Sequence, residues 1–218
     1  MHLRNSVTIA AFVAFASIST VANANLLTNG SFEDTTHLAV NFGSGSMLLD
    51  PGATSLAGWS VIGGGNLLWC NPGDCGVAPS NGNYSLDLTG LTNSYPYAGV
   101  SQTINTVLNG SYLLSFDIGS RDGDQISIQA TAGGASQTYT TNATPWKTET
   151  LSFTGTGGPT TISLLGTAAA GYDLSLDNVI VSGPPGVPEP STWAMMLVGV
   201  GGLGGALRLG RRTATRLG

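Results

Sequence analysis

Cys70 and Cys75 are the only two cysteines in the chain and bracket Asn71-Pro72-Gly73-Asp74. A C-x4-C spacing around a Pro-Gly turn suits a local disulfide in an exported chain. Zinc is the poorer use, because His37 is the only histidine between the two ends and a tetrahedral site needs more ligands. A Ser-His-Asp triad would also have to use His37, and no Gly-x-Ser-x-Gly accompanies it. His37 therefore reads as a solvated loop residue. Carboxylates are plentiful: Glu33, Asp87, Asp117, Asp122, Asp124, Glu149 and Asp177 offer many pairs. Glycoside hydrolysis needs two of them across a cleft at a defined separation, which sequence spacing does not specify. Asp122-Gly123-Asp124 lacks the remaining ligands of a calcium loop and reads as a turn. There is no P-loop or dinucleotide fingerprint.

Sugar chemistry uses exposed aromatic faces, and four aromatics stand in loop-like contexts: Trp69 beside Cys70, Tyr95 and Tyr97 around Pro96, and Trp146 after Pro145. Tyr95 and Tyr97 share one side of an extended segment. Trp59, Tyr84, Tyr112 and Phe116 are assigned to the core instead.

Charge excludes one class of partner outright. Residues 25–183 carry only Arg121 and Lys147 against eleven carboxylates, a formal −9. Phosphate-backbone recognition needs clustered cations, so nucleic acid is no partner. The other five of the seven basic residues lie at the two ends.

The elements that must position these groups are strands. Tyr84/Leu86/Leu88 and Tyr112/Leu114/Phe116/Ile118 alternate with polar residues. Val100/Gln102/Ile104, Ile126/Ile128/Ala130, Leu151/Phe153, Ile162/Leu164 and Leu174/Leu176 continue the period of two. Asn109-Gly110 and Asp122-Gly123 are the strongest hairpin signals, with Asn81-Gly82 and Gly133-Gly134 as further breaks. About ten strands in the body of a chain with 32 glycines point to an all-β, two-sheet jelly-roll sandwich. The phase of Leu174 and Leu176 is lost at Asp177-Asn178 before Val179-Ile180-Val181, which predicts a β-bulge there, with Asp177 either aimed at a ligand or held in a buried polar turn.

The ends are addresses. Residues 1–24 combine Arg4, an apolar run and Ala22-Asn23-Ala24, the order of a signal peptide cleaved by signal peptidase after Ala24. Residues 25–182 form the sandwich, and 183–192 a Pro-rich linker. Residues 193–207 contain no charge and would reach about 22 Å as a helix, short against a hydrocarbon core of roughly 30 Å. Trp193 and Arg208 can narrow that gap. The basic 208–218 tail favours a cytoplasmic C-terminus, and hence an external body.

Val187-Pro188-Glu189-Pro190-Ser191-Thr192, the apolar run and the terminal arginines resemble the PEP-CTERM sorting signal of Gram-negative bacteria. The resemblance implies export across the inner membrane, transient anchoring, processing by an exosortase, and a surface or extracellular-matrix (biofilm) destination. In the body, Asn29-Gly30-Ser31-Phe32-Glu33, Gly58-Trp59, Gly82-Asn83-Tyr84-Ser85-Leu86-Asp87-Leu88, Gly99-Val100-Ser101-Gln102-Thr103 and Leu176-Asp177-Asn178-Val179 resemble the choice-of-anchor C proteins and the galactose-binding-like, carbohydrate-binding-module jelly rolls. That resemblance implies a structural Ca²⁺ held by Glu33 and Asp177, with Asn178 in place of a second acid. It implies no organic cofactor.

The sequence thus leads to a non-enzymatic exosortase substrate whose sandwich binds extracellular polysaccharide. Two other readings stay open: a structural or adhesive matrix protein that contacts other proteins, and a carboxylate-dependent glycoside hydrolase.

Overall fold

A computed structural model describes residues 24–72, 74–91, 95–169 and 173–184. The signal-peptide residues before Ala24, the sorting motif and the apolar run lie outside them.

Eleven strands form among the described residues: β1 (Met47–Leu49), β2 (Ser60–Gly63), β3 (Leu67–Cys70), β4 (Ser85–Asp87), β5 (Ala98–Asn105), β6 (Ser111–Ser120), β7 (Ile126–Ala132), β8 (Ala135–Thr141), β9 (Lys147–Thr154), β10 (Pro159–Ala169) and β11 (Leu174–Ser182). They make two sheets, ordered β1-β3-β4-β11-β6-β9 and β2-β5-β10-β7-β8. All the pairings between these strands are antiparallel. The protein is an all-β sandwich, as its alternating sequence requires.

In β6 the period of two is explicit: Tyr112, Leu114, Phe116 and Ile118 are buried between the sheets, while Leu113 is 40 % exposed on the other side. Leu174 and Leu176 of β11 face the same core, and so do Val179 and Val181. The shift is absorbed by a register break between Asp177 and Ile180, with Asn178 at φ 51°. This is the bulge that the sequence phase required.

The hairpin expectations need correcting. Asn109-Gly110 joins β5 to β6 and Asp122-Gly123 joins β6 to β7, and in each case the two strands belong to different sheets. Both turns are therefore corners of the sandwich. The tight hairpin is at Gly133-Gly134, where Ala132 pairs with Ala135 and both glycines have positive φ, the two-residue turn whose twist matches its strands.

Between Ala24 and β1 the described residues form no strand, yet they are tied to β11. Leu26 N donates to Val181 O at 2.9 Å and Val179 N to Gly30 O at 2.7 Å. The Asn25 side chain donates to Val179 O and accepts from Val181 N, each at 2.9 Å. One amide thus satisfies a donor and an acceptor of β11 beyond the end of the short β4.

Candidate functional site

The outer face of the six-stranded sheet is where the chemistry-bearing side chains collect. Because Leu86, Ile118 and Leu176 point into the core, their strand neighbours Asp87, Asp117 and Asp177 point away from it. They are nonetheless 2 %, 6 % and 0 % exposed. Residues 74–84 fold back over Asp117 and Asp177, and Asp87 lies against Thr89 and Asp173.

The Cys70–Cys75 disulfide, with Cα atoms 5.8 Å apart, closes the start of this segment, as the C-x4-C spacing predicts. Both cysteines pack with Leu68, Phe42 and Leu48 in a small second core. Further along, Trp146 Nε1 donates to Ala78 O at 2.8 Å. Ser80 Oγ lies 2.8 Å from Asp117 Oδ2 and 3.2 Å from Asp177 Oδ2, and Asn81 N donates to Asp177 Oδ2 at 2.9 Å. Glu33 Oε1 accepts from Asn83 N and Tyr84 N, both at 2.7 Å. Gly82 is required between these anchors. It has φ +75° and a β-carbon there would fall 2.4 Å from Glu33 Cδ.

Asp117 and Asp177 are register partners and share the Ser80 hydroxyl, which carries one proton. Asp117 also accepts from Thr148 Oγ1 at 2.6 Å and Asn178 Nδ2 at 3.0 Å. Burial raises the Asp177 carboxyl to about 6, against the lowering effect of the Asn81, Asn178 and Ser80 hydrogen bonds. At the end of the same face, Asp87 hydrogen-bonds Asp173, and desolvation followed by the Asp173 charge pushes Asp87 up to about 7. Burial raises Asp173 as well, while Arg121, whose Nη1 is 3.0 Å from Asp173 Oδ2, opposes the rise.

The Ca²⁺ expectation meets this geometry directly. Ca²⁺ takes six to eight oxygens, but the Glu33 and Asp177 oxygens are occupied by N–H donors from the 81–84 turn and, for Asp177, from Asn178. Among the described residues no group of three or more His, Cys, Asp or Glu is placed to hold a metal. As arranged, the two acids do not fit an ion. They clip the turn to the sheet.

The four aromatics separate. Trp69 is 0 % exposed, donates from Nε1 to Phe32 O at 3.0 Å and packs against Tyr84. It belongs to the core and presents no face to a polymer. Sequence placed it at the surface because it adjoins the cysteines, but in β3 it points inward beside Leu67, while Leu68 and Cys70 take the outer side. Tyr97 is 8 % exposed, and its hydroxyl bridges the backbone of Ala169, donating to O and accepting from N, both at 3.2 Å. Tyr95 is 78 % exposed and meets Tyr97 edge-on, with centroids 6.1 Å apart at 86°. Trp146 is half-buried, near Gly119. Tyr95 and Trp146 precede β5 and β9 at one end of the sandwich, but among the described residues the ring contacts join Tyr95 only to Tyr97. His37 is exposed, as expected.

The family model that matches residues 25–181 is described as a protein of unknown function, DUF642. The chain belongs to the DUF642 family. A second match, the PEP-CTERM protein-sorting motif, covers residues 186–212, so this DUF642 chain carries a signal that implies export, anchoring at the membrane and an exosortase as processing partner. No curated protein matches the chain. Among solved structures, a cyclase from Fischerella sp. TAU is similar to the DUF642 body at 16 % identity, covering 73 % of this chain and 96 % of the other, with a TM-score of 0.49. TmCBM61 in complex with β-1,4-galactotriose is similar at 17 % identity over 72 % of this chain and 97 % of its own, TM-score 0.43. A CBM4 structure follows at 16 % identity, covering 72 % and 99 %, TM-score 0.41.

Proposed function

We propose that this DUF642 protein is a non-enzymatic, exosortase-processed protein of the Gram-negative surface or extracellular matrix, whose sandwich associates with extracellular polysaccharide through the loop end that bears Tyr95. The observation that carries this reading is the Tyr95–Tyr97 pair. An aromatic ring 78 % exposed would ordinarily be mobile, but Tyr95 is braced edge-on by a neighbour whose hydroxyl is bonded on both sides to Ala169. A rigid aromatic in solvent offers a sugar ring a stacking surface at low entropic cost. Trp146 at the same end adds a second, partly exposed ring.

The buried acids support the non-enzymatic part. Asp87 and Asp173 are a close carboxyl pair, but they are 2 % and 7 % exposed and bonded to each other, to Thr89 and to Arg121. No polymer can lie between them as glycoside hydrolysis demands. Asp117 and Asp177 are likewise beneath the 71–84 segment.

Co-sedimentation of the processed protein with insoluble and gel-forming polysaccharides, including the exopolysaccharide of the host, tests the reading. Selective retention without release of soluble sugar is expected. A folded protein retained by none of them would leave a matrix component that contacts other proteins, and soluble products would restore the hydrolase.

A further inference from the structure

The end of the sandwich opposite Tyr95 differs from the rest of the surface in both charge and polarity. Residues 98–116, 150–169 and 178–184 contain no Asp, Glu, Lys or Arg, in a body that carries −9 elsewhere. The turn after β5 instead exposes Val107 at 66 % and Leu108 at 64 %. It is firmly built. Asn109 N donates to Gly155 O, Gly155 N to Gly110 O at 2.8 Å, and Thr106 N to Gly158 O. Gly157 lies against Leu108, Leu26 lies against Gly183, and Pro184 lies against Gly110. Leu26 is itself 44 % exposed and Leu113, one strand position further in, 40 %. A groove of about 540 Å³ lined by Ser111, Leu113, Ser152, Thr154 and Ser182 opens beside this tip.

The chain leaves the described sandwich here, at Pro184. Eight residues, 185–192, separate that point from the apolar run that begins at Trp193, and even fully extended they span no more than about 30 Å. The sorting signal at residues 186–212 thus holds this end of the body within that distance of the bilayer until processing.

We infer that before processing the 106–110 and 155–158 turns rest on the lipid surface, with Val107 and Leu108 inserted at the interface. This rests on the reading of the sorting signal as a membrane anchor. Three independent physical terms favour the same orientation. Exposed aliphatic side chains gain by leaving water. An uncharged end has no ion to desolvate. Repulsion between the acidic remainder of the body and anionic phospholipid turns the carboxylates outward. Two aliphatic side chains are too weak to hold a protein on a membrane alone, so the contact orients the tethered precursor and lets go once the tail is removed.

The test uses the full chain with its sorting tail, reconstituted in vesicles of phosphatidylethanolamine and phosphatidylglycerol. A polarity-sensitive fluorophore is placed at Leu108→Cys, at Val107→Cys in a second variant, and at Gln125→Cys at the opposite end as reference. All three positions are exposed, so the core is untouched. At positions 107 and 108 emission should shift to the blue and be lost when the vesicles contain lipids brominated in the acyl chain, whereas position 125 should show neither change. Protein that floats with the vesicles but reports water at 107 and 108 overturns the inference and leaves the anchor intact. Protein that fails to float overturns the anchor reading and the inference together. A photo-crosslinker at 108 in native membranes that captures a protein in place of lipid also overturns it, and assigns this end to the processing enzyme.

Discussion

The carboxyl of Asp87 is hydrogen-bonded to the carboxylate of Asp173 on the covered face of the sheet, one proton serving two acids. Thr89 donates to the Asp87 Oδ1 from both its amide and its hydroxyl, which leaves the other oxygen to carry the proton. The arrangement is stable only while that proton stays. Ionising both acids would place two charges side by side out of water, with Arg121 already shared between Asp173 and Asp122.

Stability should therefore fall as pH rises from about 4 to about 7. Asp87 is raised to about 7 and Asp177 to about 6, and for an acid raised by folding the native state holds the proton longer than the unfolded chain. Its contribution is complete below the unfolded value near 4 and lost through the folded value. Asp34, exposed, and Asp74, half-buried, are held below their ordinary value by hydrogen bonds from Thr36 and from Ser46 and Ser44 and act oppositely in stronger acid, so the optimum lies near pH 4 to 5. Asp87→Asn reproduces the protonated acid, accepting from Thr89 and donating to Asp173. It should be more stable than the native protein at pH 8 and show a shallower slope. Urea melts at pH 5 and pH 8 decide this, and equal slopes would contradict the assignment.

The turn at 81–84 is clipped by protein donors, so a chelator should leave it in place. Excess EDTA is expected to leave the melting temperature unchanged, and Glu33→Ala to lower stability by about 1 kcal/mol through the two amides it abandons. Asn25→Ala removes two hydrogen bonds to β11 and one to Leu27 N and should cost about 2 kcal/mol. Thermal melts of the processed protein with and without EDTA check all three. A large drop in EDTA would mean that an ion displaces the amides.

Much of this was legible because burial was one-sided. β5, β6, β7, β9 and β10 each bury one face, and their alternation shows in the residues. The bulge was legible for the same reason, since only a slip in phase lets Leu174, Leu176, Val179 and Val181 all face inward. β3 gave no such signal. All four of its residues are buried, because Cys75, Phe42 and Leu48 pack around its outer side, and a strand covered on both faces has no polar alternate. β8 was hidden by the opposite circumstance, with Ser136, Gln137 and Thr138 exposed and Tyr139 its one buried residue. The missing alternation also explains the misplacement of Trp69, since nothing in the residues of β3 marks it as the inward-facing one. Asp177 could be singled out from the bulge, whereas nothing local in Asp87 or Asp117 shows that a distant stretch folds over them.

The disulfide should matter to that covering segment more than to the sandwich. Closing a loop this short restricts the unfolded chain by about 2 kcal/mol, and Cys70 and Cys75 also complete the small cluster with Leu68. Replacing both by Ala is expected to lower stability by about 2 kcal/mol. Amide exchange should accelerate at residues 74–84 and stay slow in β6 and β10, which lie away from the cluster. Uniform acceleration throughout would show instead that the segment and the sandwich unfold as one unit.

Tyr95 and Trp146 stand at the same end but should fail differently. Tyr95 contributes no hydrogen bond to the fold among those described, and its ring is mostly in water. Tyr95→Ala should therefore leave the melting temperature within about 0.5 kcal/mol of the native value while weakening retention on a bound polysaccharide about tenfold, the loss of one stacking surface. Trp146 also holds Ala78 O through its indole nitrogen, so Trp146→Ala should lower stability as well as binding. Trp146→Phe separates the two effects, since it keeps a ring and gives up the hydrogen bond. Affinity electrophoresis in polysaccharide gels beside thermal melts reads both quantities. If Tyr95→Ala migrates as the native protein does on every polymer that retards it, the polymer contacts some other surface.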